Sequence, residues 1–330
     1  MSRLDDLERG VAPAGEAGPG GRPSYLTPVQ RRQAGLITAV ALLLYLGARC
    51  LPTGTNLNHM DFRMTGKGAL EFCDPLNPQF IPVVQVRSPV VLTLKADREP
   101  ALNQSVNFIL TMRTASGKPI APEDLLVAHT RKLHLLVVDP TLTDYQHLHP
   151  EPGRTPGEWT FSFTPHLGGK YLVFADFTPA ATARGLYASA EVDVAGGGSA
   201  AVKPVAQGGQ AFPLVTEREG YRFLLEAAVQ PIREGQPADL KFSVTRPDGG
   251  PVPMELVMDA YAHLVAFDEA RSGFAHLHPM ETDLTQKPDA TRPVLNFKIT
   301  IPRAGKYVIW AQVKLGGREV FAPFAFDVAR

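Results

Sequence analysis

The sequence is nearly without cysteine. Only Cys50 and Cys73 occur in 330 residues, too few to staple a small fold, so apolar cores must hold the domains. It also lacks net charge: 33 Lys plus Arg stand against 33 Asp plus Glu, and no positive field draws the chain to nucleic acid. No phosphate-binding glycine loop and no Ser-His-Asp set is present, so the common signatures of phosphoryl and acyl transfer are missing. The chain is read as non-enzymatic. Helical periodicity is missing outside one segment, whereas 30 prolines and 29 glycines punctuate short apolar stretches.

Long apolar runs are absent with one exception, Ala34 to Ala48, which follows Arg31 and Arg32 and precedes Arg49. Its flanks and composition suit a membrane-targeting element. A signal anchor over residues 34–51 is favoured over a cleaved signal peptide, because the polar stretch before it is long for a signal. The arginines would keep residues 1–33, composed like a disordered cytoplasmic tail, inside. Everything after residue 52 would then lie in the periplasm, on a protein crossing the inner membrane once. Arg49 before Cys50 argues against lipidation there. Residues 52–89, rich in proline, read as a tether, and residues 196–211, with AGGGSAAVKPVAQGGQ around them, as a flexible linker.

The blocks flanking that linker, 90–195 and 212–330, are copies of each other. KLHLLVVDPTLTDYQHLHP, Lys132 to Pro150, aligns without a gap on YAHLVAFDEARSGFAHLHP, Tyr261 to Pro279. Each block ends on an alternating strand, a Pro/Gly turn and Gly-Lys-Tyr, at Gly169 to Tyr171 and Gly305 to Tyr307. Short alternating strands between turns predict an all-β chain of two tandem immunoglobulin-like sandwiches after the N-terminal helix, the tyrosines standing at a tyrosine corner. The second block is expected to fold alone as a monomer.

Within each long match the pattern is strand, turn, strand. A loop at Asp139 to Leu142 sets His134 opposite His147, with His149 on the same face. A loop at Asp268 to Arg271 does the same for His263, His276 and His278. Three imidazoles meeting on one face suit copper or zinc. The competing reading is a structural histidine cluster kept by duplication. Asp139 and Asp268 are read as turn residues.

Other candidates are weaker. His129, aligned with Met258, has the wrong strand parity for the His134 face. Asp176 aligns with Gln312, so a carboxylate would complete the first site alone. His166 falls in a solvated turn. His59, Met60 and Met64 in the tether form a soft donor set suited to Cu(I) if that segment wraps an ion, and Cys73 is either a thiolate ligand or a disulfide partner of Cys50.

An early His, an Asp five residues on, then aromatic-x-His-x-His-Pro and Pro-x-x-Gly-x-Tyr together resemble exported bacterial immunoglobulin-like domains of the YtkA-like type. The resemblance covers about residues 90–330. It implies an exported sandwich associated with heavy metals or copper, with His134, His147, His149, His263, His276 and His278 as the residues to watch. The expected function is therefore a membrane-anchored periplasmic module binding copper or zinc. A non-catalytic module docking an envelope protein is the alternative. A cupin-like oxygenase is disfavoured, because the acid and late histidine that such a motif needs are missing. Blue-copper electron transfer needs a cysteine that neither sandwich has.

Overall fold

The computed structural model describes residues 26–50, 57–62, 78–196 and 212–330. The described residues are mostly β, 48% strand and 11% helix. Residues 1–25, most of the linker, Met64 and Cys73 lie outside the described residues.

Helix α1 (Pro28–Cys50) begins inside the stretch expected as a tail. Thr27 opens it as a capping box: Thr27 Oγ1 accepts from Gln30 N–H, and Gln30 Oε1 accepts from Thr27 N–H, with Pro28 at the first helical position. No helix among the described residues is long and apolar enough to cross a membrane. The expected spanning anchor at 34–51 is therefore not supported. An apolar stretch of about fifteen residues rises roughly 22 Å in a helix, short of a hydrocarbon core of about 30 Å.

The first sandwich contains β1 (Val90–Ala96), β2 (Val106–Thr114), β3 (Leu125–Leu126), β4 (Leu133–Val138), β5 (Tyr145–Leu148), β6 (Glu151–Pro152), β7 (Glu158–Phe163), β8 (Gly169–Pro179) and β9 (Leu186–Val194). Its outer sheet runs β1-β2-β7-β6; its inner sheet runs β3-β8-β4-β5, with β9 on the other edge of β8. The second sandwich contains β10 (Leu214–Arg218), β11 (Tyr221–Ala227), β12 (Pro237–Thr245), β13 (Met254–Glu255), β14 (His263–Asp268), β15 (Phe274–Leu277), β16 (Val294–Thr300), β17 (Gly305–Leu315) and β18 (Arg318–Val328). Its sheets, β10-β11-β12-β16 and β13-β17-β14-β15 with β18 on β17, repeat the first pattern. Every strand pairing within the sheets is antiparallel.

Outer strands alternate, as β2 does with Val106, Phe108, Leu110 and Met112 turned inward. Inner strands do not: all six residues of β4 are buried. The reason is that each inner sheet is covered on both faces. Leu133, Leu135 and Val137 join the first domain's own core. Leu136 and Val138, on the opposite face, join a third apolar cluster with Leu142, Tyr145, Phe174, Val265, Phe267, Phe274, Val308 and Trp310. The two inner sheets thus pack against each other. Phe174 meets Phe267 and Phe274 at centroid separations of 6.0 and 5.5 Å, and Trp310 Nε1–H donates to the Leu142 carbonyl at 3.2 Å.

Two tyrosines tie the turns. Tyr307 Oη donates to the Arg303 carbonyl four residues upstream, the bond expected of a tyrosine corner. Tyr171 Oη accepts from Leu167 N–H and donates to Asp144 Oδ2.

The described parts of the supposed tether, residues 57–62 and 78–89, are part of the fold. Leu57 and Phe62 enter the first core, and Asp61 pairs with Lys118 at 2.7 Å. Further on, Phe80 packs in the second core against Tyr307, while Ile81 and Val83 enter the cluster between the sheets. Ile81 exchanges backbone hydrogen bonds with Phe274. Gly273 permits that approach, since a Cβ there would collide with the Ile81 carbonyl; the aligned residue of the first copy is Asp144. With Phe62 anchored and Met60 pointing to solvent, residues 59–62 form a short 3-10 turn. Met64, the third donor of the Cu(I) reading, lies outside the described residues.

The face-to-face packing also changes the expectation that the second block stands alone. Cut free, residues 212–330 would lose Phe80 and Ile81 and expose Val265, Phe267, Phe274, Val308 and Trp310, an apolar patch of the kind that drives association. The fragment is expected to self-associate or precipitate, as sedimentation velocity would reveal. A soluble monomer with a native β spectrum would mean that the interface contributes little.

Candidate metal centre

The hairpin β4–β5 pairs Leu136 with His147 and Val138 with Tyr145. His134 therefore stands level with His149, two residues away from the expected register opposite His147. The loop is longer than expected because Asp139 gathers it: its carboxylate accepts from the N–H groups of Thr141, Thr143 and Asp144 at 2.7, 2.8 and 2.9 Å. Asp268 holds the second loop through Ser272 N–H and Oγ, and β14–β15 repeats the register with Val265 opposite His276. A shift of two residues preserves side-chain parity. The three rings of each hairpin consequently still share a face.

In the first set the ring centroids of His134, His147 and His149 lie 4.9 to 5.3 Å apart. For His263, His276 and His278 the range is 4.7 to 5.5 Å. Each set offers one ring nitrogen per residue, all within 4.8 Å of one another. The shared face is the one turned toward the other domain, so the two sets meet across the interface. His147 lies 5.4 Å from His276 and 6.4 Å from His263, and His134 lies 6.0 Å from His276.

Hydrogen bonds at the outer nitrogens fix the inner ones. Nε2–H of His134 donates to the Ala128 carbonyl at 3.0 Å, and Nε2–H of His263 to the Val257 carbonyl at 2.9 Å. Each ring therefore presents a bare Nδ1 inward. The central histidines are held across the interface. His147 Nδ1–H donates to Gln312 Oε1 at 2.8 Å, an oxygen whose identity follows from the bond of Gln312 Nε2–H to Glu319. His276 Nδ1–H donates to Asp176 Oδ2 at 3.1 Å. Both central rings thus turn a bare Nε2 toward their own set. Nδ1 of His263 and Nε2 of His149, His276 and His278 are buried without a hydrogen-bond partner, which is costly unless something fills the gap. In the first set Nδ1 of His134 and Nε2 of His147 stand 3.2 Å apart. With their other nitrogens donating, both are acceptors, and a cation or a proton between them relieves the repulsion.

Asp176 was expected to complete the site of its own domain. It stands beside His134 in the β4–β8 ladder, but its carboxylate bonds to the histidine of the other domain. Gln312, beside His263, likewise reaches across to His147. The aligned pair differs in chemistry and is exchanged between the copies.

His129 also corrects the sequence reading. Parity excluded it only if a strand connected it to His134. Instead His129 and Thr130 occupy a two-residue turn at φ 49° and 68°, closed by Ala128 and Arg131; left-handed backbone at both positions is what a type I′ turn requires. Met258 and Asp259 form the same turn in the second copy, at φ 51° and 57°. The turn swings His129 onto His278 of the other domain, stacked at 3.7 Å and 17°. The left-handed pair at an otherwise unremarkable His-Thr was invisible in the sequence. His166 does lie largely exposed, with Nδ1 3.1 Å from Asp144.

Burial dominates the electrostatics. It lowers the pKa of all seven clustered histidines, to about 3 for His149 and about 4 for His263, and well below the usual range for His147, His276 and His278, with neighbouring imidazoles adding to the effect. The rings are neutral at pH 7, the form in which imidazole ligates metal. Burial pushes the Asp176 carboxyl up, against the pull of His134 and His129.

A domain of unknown function, DUF8832, matches the sequence twice, over residues 87–195 and 216–330. The chain belongs to the DUF8832 family. The two matches coincide with the two sandwiches, and each DUF8832 copy supplies one histidine set. The YtkA-like type is not confirmed by this match. No curated protein matches the sequence. Among solved structures, the Lin-41 filamin domain is similar at 17% identity over 33% of this chain and 94% of that one, with a TM-score of 0.21. A DUF4785 family protein from Legionella pneumophila is 10% identical over 72% of this chain and 56% of its own, TM-score 0.22. Fibronectin(III)-like modules of Clostridium thermocellum CbhA are 8% identical over 72% and 94%, TM-score 0.19. Scores this low bear on neither site nor function.

The depressed histidines link stability to pH. In the metal-free protein the unfolded chain takes up protons on its histidines from about pH 6.5 downward, whereas folded His263 and His149 resist to about 4 and about 3. The unfolded state then binds more protons, and stability falls as pH drops through that window. Calorimetric melts of metal-free protein should give a lower Tm at pH 5 than at pH 7.5. An unchanged Tm would mean that the rings are not buried neutral.

Proposed function

We propose that the paired DUF8832 domains form a non-catalytic metal-binding module holding two ions, copper or zinc, one in each three-histidine set. The observation that carries this reading is the direction of the ring nitrogens. Each central and leading histidine spends one nitrogen on an oriented carbonyl, amide or carboxylate and turns the other, bare, into its own set. Ligating histidines are commonly oriented by such outer hydrogen bonds. A cluster serving packing alone would satisfy its buried nitrogens internally, and here four are left over. Three neutral imidazoles suit zinc or copper better than hard cations, which prefer oxygen. The YtkA-like resemblance of the hairpins, with its heavy-metal association, agrees with this reading.

The test is stoichiometry. Purified without an affinity tag, then stripped and titrated with Zn(II) or Cu(II), the chain is expected to bind two ions. Replacing His263, His276 and His278 together by Ala should leave one ion and a folded protein, by isothermal titration and circular dichroism. If the parent holds less than one ion and the substitutions chiefly lower Tm, the histidines serve packing and the metal reading fails.

A further inference from the structure

Resting on that reading, we infer that the two sites are unequal by construction: His263, His276 and His278 hold a retained ion, His134, His147 and His149 an exchangeable one, and Asp176 and Gln312 set the difference. Three observations converge. The first is the exchanged pair of outer partners. The His276 ring donates to a carboxylate, the His147 ring to a neutral amide. A carboxylate behind the ring makes its free nitrogen a stronger donor to a divalent ion, and removing such a partner typically weakens metal affinity about 10- to 100-fold. Asp176 also faces His134 and His129 through space, but its hydrogen bond goes to His276, where it polarises a ligand directly.

The second observation is access. An open groove lined by Asn107, Glu151, Thr160 and Ser162 reaches the edge of the first set at His149, whose Nε2 is itself buried. The corresponding groove of the second domain, lined by Asp239, Met280, Asn296 and Phe297, does not reach His278. The third is the cover over the second set. The His129 ring lies flat on His278 and within 6.0 and 6.2 Å of His263 and His276. At the matching turn of the second domain stands Met258, which has no imidazole to offer. Charge, access and cover all favour retention at the second set.

Chelator challenge of the full chain reads this out. The protein is loaded with two equivalents of Zn(II) and mixed with excess EDTA, and release is followed over time. Two phases of equal amplitude are expected, His149→Ala removing the fast one and His278→Ala the slow one. Asp176→Asn should weaken the retained site about 10- to 100-fold and speed the slow phase accordingly. Gln312→Glu combined with Glu319→Gln, which keeps a hydrogen bond between these two side chains, should slow the fast phase, and it keeps the inference testable should Asp176→Asn fail to fold. A single phase in the parent, a reversed assignment, or rates indifferent to a folded variant at position 176 or 312 would overturn the inference while leaving zinc binding intact. A parent that takes up no zinc at loading would instead sink the metal reading, and the inequality with it.

Discussion

The constraint on which the rest depends is the burial of one sheet face of each copy against the same face of the other. An immunoglobulin-like sandwich ordinarily leaves the outside of each sheet wet. Here Leu136, Val138 and Phe174 of one copy and Val265, Phe267 and Trp310 of the other close a dry seam. Fully buried aliphatic and aromatic side chains of this kind contribute about 1.5 to 3 kcal/mol each relative to exposure, an upper estimate for a partly compact unfolded chain. The histidines occupy the same face as these residues, further along the same strands. They are buried because the seam is buried, and neutral because they are buried.

From that packing follows the exchange between copies. A residue on β8 or β17 that points away from its own core points into the other domain, so Asp176 serves His276 and Gln312 serves His147, while the turn that carries His129 reaches across to cover His278. Duplication gave two equal hairpins, and face-to-face packing made each one's outer partners the property of its twin. A single copy is therefore an incomplete site, and divergence at one aligned position alters the site belonging to the other copy.

Much of this was legible in the sequence, for physical reasons. The repeat, the alternating strands and the side-chain parity of the three histidines all depend on local spacing, and parity is unchanged by the two extra loop residues that both hairpins carry. The loop length itself was hidden because Asp139 accepts three backbone N–H groups that no spacing rule counts. LHLLVV in β4, apolar without alternation, was the available sign that this sheet is covered twice. What covers it was not readable, since a buried strand looks the same whichever element buries it. His129 was missed because two left-handed residues without glycine leave no trace in composition, and residues 57–62 and 78–86 because docking of a proline-rich segment depends on pockets that exist only after folding.

Both histidine sets meet across the seam. With His147 and His276 centred 5.4 Å apart and metal–imidazole bonds of about 2.0 to 2.1 Å, two ions bound to those rings lie no more than about 12 Å apart. Electron paramagnetic resonance of the chain loaded with two Cu(II) measures this directly. Nitrogen hyperfine structure from imidazoles is expected together with dipolar broadening or a half-field transition that disappears when only one equivalent is bound. Two equivalents giving the spectrum of isolated, uncoupled Cu(II) would contradict it.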